Sequence, residues 1–201
     1  MLESHRHELR LIVSHEAPPS MPGHSAGDRQ EGQQFESRII PFLGKIFCSL
    51  PGVNIIGSSK NLEVNKEQHD AYGMHLDSLP YLLGDQVFVL EAKTGKIRGG
   101  QIEGNAYERL GTQVSLQIHH FLVNPPDAYL SNYYDNKPVT LNSVICMNSA
   151  FARAHPGKLN RMRNALDINT RNPTINFRYH LLSSPESYVD FIEGLQNGSL
   201  L

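Results

Sequence analysis

Apolar positions along the chain follow two periods. With Phe35 at zero on a wheel of about 100° per residue, Ile39, Ile40, Phe42, Leu43, Ile46 and Phe47 fall between roughly −20° and 140°, which predicts a helix over 31–50, with Pro41 as a point of bending. A short strand at 53–57 follows, and then two more at 74–83 and 86–93 joined by a turn at Gly84-Asp85. The helical period returns over 103–123, where Gln113, Gln117 and His120 form one stripe beside the apolar Val114, Ile118, Phe121 and Leu122, and Pro125-Pro126 ends the element. Segments 139–147 and 175–182 read as strands. Ser184-Pro185-Glu186 opens a last helix with Tyr188, Phe191, Ile192 and Leu195 on one face. The predicted order is α-β-β-β-α-β-β-α, an α/β arrangement.

Residues 1–30 break every period with Pro18, Pro19, Pro22, Gly23 and Gly27. Apart from one short strand over 9–13, they are expected to be a flexible or loosely docked extension, with one domain over 31–201. His5, His7, His15 and His24 lie in this extension at spacings that match no zinc site. The 201 residues, 39% of them hydrophobic, suit a single core. No apolar run reaches the roughly 18 residues of a membrane span, and the N-terminus lacks a signal pattern, so a cytoplasmic protein away from membranes is expected. Cys48 and Cys146 stand in apolar surroundings without ligand spacing, which predicts buried, reduced thiols.

Two polar features stand inside apolar faces. Glu36 falls at about 100° on the first wheel, between Leu43 and Phe47. It is either a functional carboxylate or an acid of the helix's first turn, where the dipole favours it. The second feature is VFVLEAKTGK. Four apolar residues suit a strand buried on both faces, yet it ends in Glu91 and Lys93, which alternation places on one face about 7 Å apart. Asp77, on the preceding strand, can be brought beside Glu91 by the hairpin. Paired carboxylates need a cation, and hard oxygen donors with the Ala92 carbonyl suit Mg²⁺ or Mn²⁺ rather than zinc. Lys93 can meet negative charge on a phosphate. These residue types fit phosphodiester hydrolysis.

Charge supports the same chemistry. The net charge is −2, yet residues 91–181 carry 11 Lys/Arg against 6 Asp/Glu, and 150–166 hold Arg153, Lys158, Arg161 and Arg163 with no acid. With Lys96 and Arg98 just past the Glu91 strand, these are candidate phosphate contacts. The alternative for 150–166 is a solvated loop.

The helix EGQQFESRII with Glu36, the Asp77 strand, VFVLEAKTGKI with Gly95, the helix GTQVSLQIHHFL with Gln113 and the strand VTLNSVICMNS together resemble the nuclease-related domain (NERD) branch of the PD-(D/E)xK nuclease superfamily. The likeness spans about residues 31–195. It implies a restriction-endonuclease-like mixed central sheet flanked by helices, with Glu36, Asp77, Glu91, Lys93 and Gln113 meeting at one metal-binding corner. It further implies a Mg²⁺- or Mn²⁺-dependent endo- or exonuclease acting in DNA processing. The LDSLPYLLG segment departs from the family pattern at Ser78 and Pro80, and Asp70 is the alternative ligand to Asp77. A catalytically silent nucleic-acid-binding module on the same fold and a protein-interaction factor are the competing readings. The sequence leaves open DNA or RNA, strandedness, and assembly as a homodimer.

Overall fold

A computed structural model describes residues 2–14, 25–55, 78, 80–93, 140–154, 156–169 and 176–200. Helices α1 (Leu2–Val13) and α2 (Ser25–Ser49) precede strands β1 (Val53–Ile55), β2 (Tyr81–Leu83), β3 (Gln86–Lys93) and β4 (Thr140–Met147). Helices α3 (Ser149–Ala154) and α4 (Pro156–Asn169) connect to strand β5 (Asn176–Leu182), and α5 (Pro185–Gln196) follows. The five strands among the described residues form one mixed, open sheet in the order β1-β2-β3-β4-β5. The pairs β1–β2 and β2–β3 are antiparallel, whereas β3–β4 and β4–β5 are parallel. The molecule is therefore α/β.

Local chemistry explains these elements. Gly84, at φ 63°, supplies the left-handed turn residue that closes the β2–β3 hairpin. The β1–β2 pairing stops at Ile55 and Tyr81, one residue after Pro80, whose ring nitrogen has no hydrogen to donate. Ser184 caps α5 through a capping box with Ser187, and Pro185 sits in the first turn. The N-cap and the apolar face Tyr188, Phe191, Ile192 and Leu195 agree with the sequence reading.

Phe88, Leu90, Val144, Cys146 and Leu182 of the sheet bury against Phe42, Leu43, Ile46 and Phe47 of α2 and Tyr188, Phe191 and Ile192 of α5. At its centre Phe47 stacks on Tyr81 at 4.7 Å and packs against Phe88 at 5.3 Å. Gly44 lets the two layers close, since a Cβ there would stand 2.8 Å from the Tyr81 hydroxyl. The same core face carries a polar chain across three strands: Asn142 donates to Gln86 Oε1 at 2.9 Å, and His180 Nε2 lies 3.0 Å from Asn142 Oδ1. Because an amide oxygen only accepts, Nε2 carries the His180 proton.

The structure revises four expectations. Leu2–Val13 is a helix, neither a strand nor a loosely docked tail, and Leu9, Ile12 and Val13 at helical spacing bury in the core. Arg6 on its outer side pairs with Glu193 of α5 at 2.6 Å. Helix α2 begins at Ser25, so Glu36 lies well inside it and the first-turn explanation of that residue no longer applies. The segment 150–166 is helical rather than a loop, which adds two helices between β4 and β5. Cys146 is buried as expected, but Cys48 is exposed, because its wheel position lies outside the apolar sector. The predicted helix 103–123 and the start of the predicted strand 74–83 lie outside the described residues.

Candidate functional site

Strand β3 ends at the edge where β4 and β5 also end, since the three run parallel. Carboxyl ends of parallel strands are where α/β sheets place ligands. Val87, Phe88, Val89 and Leu90 are all buried, which explains their uninterrupted apolar character. Glu91 comes next, 1% exposed, opposite Ile145 in register, and Lys93 closes the strand opposite Met147. A carboxylate this deeply buried is costly unless its charge is compensated, which makes Glu91 a candidate site residue.

Strand alternation assigns faces. Phe88 and Leu90 belong to the core under α2 and α5, and Ala92 packs against that core, so Glu91 shares the other face with Val87 and Val89. Tyr179 has the same parity through Ser143, and its hydroxyl donates to Asp167 Oδ1 of α4 at 2.7 Å. Helix α4, with Leu159 and Leu166 buried, therefore covers the face of the sheet that carries Glu91. Helix α4 thus brings its part of the acid-free segment, residues 156–166, to the Glu91 side. Arg163 on α4 is exposed, as is Arg153 on α3. Burial and the Asp167 hydrogen bond push the Tyr179 phenol up to about 12, partly offset by the Arg163 cation.

The β2 side of β3 differs from a plain ladder. Among the described residues, backbone pairing with β2 runs to Tyr81–Phe88. Two residues further along, the Leu90 N–H donates to the hydroxyl of Ser78 at 3.0 Å, in a buried bond. Ser78 is the chain neighbour of Asp77, and the sequence marks it only as a departure from a family pattern.

On the β4 side the fully buried Tyr188 of α5 donates to the Met147 carbonyl at 3.0 Å. Burial holds that phenol well above its ordinary value. Ser149, at the start of α3, donates to the Val13 carbonyl at 3.1 Å, so α1 ends beside the strand edge. Neither Ser149 nor Tyr188 is marked as part of a site by the sequence. A hydroxyl two residues after an apolar strand is the nearest thing to a signal.

Of the sequence-predicted residues, Glu91 and the Ala92 backbone stand at this edge. Glu36 is half-buried on α2, the helix packed on the opposite face. Lys93, Lys158 and Arg161 are described by their backbone, at the end of β3 and on α4. Asp77, Asp70, Gln113, Lys96 and Arg98 lie outside the described residues. Among the described residues no three His, Cys, Asp or Glu side chains form a metal-holding cluster. Also among them, no helix is long and apolar enough to cross a membrane.

Comparisons with protein-family models, with curated proteins and with solved structures find no match to this chain.

Proposed function

We propose that the protein is a metal-dependent nuclease of the restriction-endonuclease-like fold, hydrolysing phosphodiester bonds of DNA, as the resemblance to nuclease-related domains suggests. The observation that carries this reading is the buried carboxylate of Glu91 at the carboxyl end of the central strand, followed two residues later by Lys93. The mixed sheet, antiparallel on one side of β3 and parallel on the other, agrees with it.

Glu91 and the Ala92 carbonyl, with Asp77, are hard oxygen donors that fit Mg²⁺ or Mn²⁺. When bound, such an ion supplies Lewis-acid polarisation of the phosphate and a more acidic water. The remaining work falls to the chain. In this reading Lys93 supplies an ammonium for charge that develops on the phosphate during attack. Arg153 and Arg163, with Lys158 and Arg161, draw the polyanion toward the Glu91 face. Gln113 completes the proposed set of catalytic residues, from which Glu36 is left out because α2 holds it on the face of the sheet opposite Glu91. Lys96 and Arg98 extend the phosphate contacts, and a homodimer would present two such edges to a duplex.

Glu91→Gln tests the carrying observation, because it keeps the shape and removes the charge. Calorimetric titration with Mn²⁺ should show binding to the wild type and at least about tenfold weaker binding to the variant. Equal affinity in the two proteins would remove Glu91 from the site.

A further inference from the structure

Ser78 has a role at this edge that rests on the nuclease reading. The β2–β3 hairpin register places the Leu90 N–H on the β2 side. It donates to the Ser78 hydroxyl at 3.0 Å, and Ser78 is itself buried at 5% exposure. A side chain thus satisfies the buried N–H one residue before Glu91, so the strand holds its geometry up to the carboxylate.

We propose that Ser78 is a positioning residue for this site: its hydroxyl, by holding the Leu90 N–H, fixes the β3 backbone from which Glu91 meets a divalent cation. Ser78 does not touch the reacting atoms in this account. It acts on the orientation of Glu91, as outer hydrogen bonds do for metal ligands generally.

The test compares the full-length wild type with Ser78→Ala, Ser78→Cys, which keeps the size with a weaker acceptor, and Ile192→Val, a core deletion in α5 that lowers stability away from the edge. Mn²⁺ affinity is read by calorimetry, and kcat and KM by cleavage of plasmid DNA. Ser78→Ala should weaken Mn²⁺ binding and lower kcat by about tenfold or more each, with KM for DNA within about threefold. Ser78→Cys should fall between it and the wild type, and Ile192→Val should leave both readouts unchanged. Wild-type metal affinity and kcat in both Ser78 variants would overturn the role of Ser78 while leaving the nuclease reading intact. A wild type that neither binds Mn²⁺ nor cleaves overturns the nuclease reading, and this inference with it.

Discussion

Tyr188 of α5 donates its phenolic hydrogen to the carbonyl of Met147, the residue that stands opposite Lys93 in the β3–β4 register. One buried side chain thereby fastens the last helix to the end of a central strand. Tyr188→Phe keeps the ring and strands the carbonyl, so it should destabilise the protein by about 1–3 kcal/mol. Urea unfolding checks this, with the midpoint falling at an unchanged slope. An unshifted midpoint would mean that the bond adds nothing to the docking of α5.

A pH effect follows from His180. Burial first, and the Arg178 cation second, lower its pKa from 6.5 to about 4. The ring is enclosed by Phe88 and Phe191 and donates to Asn142, so the folded state prefers it neutral. The unfolded chain takes up the proton first as pH falls. Stability due to this group is therefore intact above about pH 6.5 and is lost progressively down to about pH 4, on the order of 3 kcal/mol in all. His180→Gln, which retains a donor for Asn142, should flatten the stability profile in that window. An identical slope in the variant would assign the pH dependence to other groups.

The helices α3 and α4 give a third expectation. If Arg153 and Arg163 contact phosphates, replacing both with Ala should weaken DNA binding without regard to sequence and reduce the salt dependence by about two phosphate equivalents. Fluorescence anisotropy at several salt concentrations measures the slope. A slope equal to the wild type's would make these residues part of a solvated helix surface.

Much of the frame is legible in the sequence because long apolar periods survive any tertiary context. Phe35, Ile39, Phe42, Leu43, Ile46 and Phe47, the strand residues 86–91 and the Tyr188 face are all buried as their spacing implies. Elements with a weak apolar signal were not legible. The four apolar residues of Leu9 to Val13, with polar Arg10 among them, read as a strand, yet only Leu9, Ile12 and Val13 are buried, at helical spacing. Helix α4 has little apolar contrast, and its cationic residues suggest a loop as readily as a helix. At the candidate site, Glu91 was visible because a charge closing a buried strand violates the pattern around it. Ser78 was not, since the target of a hydroxyl depends on a register that forms only in the folded sheet. The chain from Gln86 through Asn142 to His180 was invisible for the same reason.

The central claim is that Glu91 and Lys93 close the central strand in order to carry phosphodiester chemistry. It is tested most directly by cleavage of circular, linear, nicked and single-stranded DNA with Mg²⁺ and Mn²⁺, comparing the wild type with Lys93→Ala. The account predicts metal-dependent cleavage by the wild type, and in the variant a rate lower by about 10²-fold or more with DNA and metal affinities within a few fold. No cleavage by the wild type under any combination, together with lost DNA binding in Lys93→Ala, would contradict it and make Lys93 a phosphate anchor in a binding module.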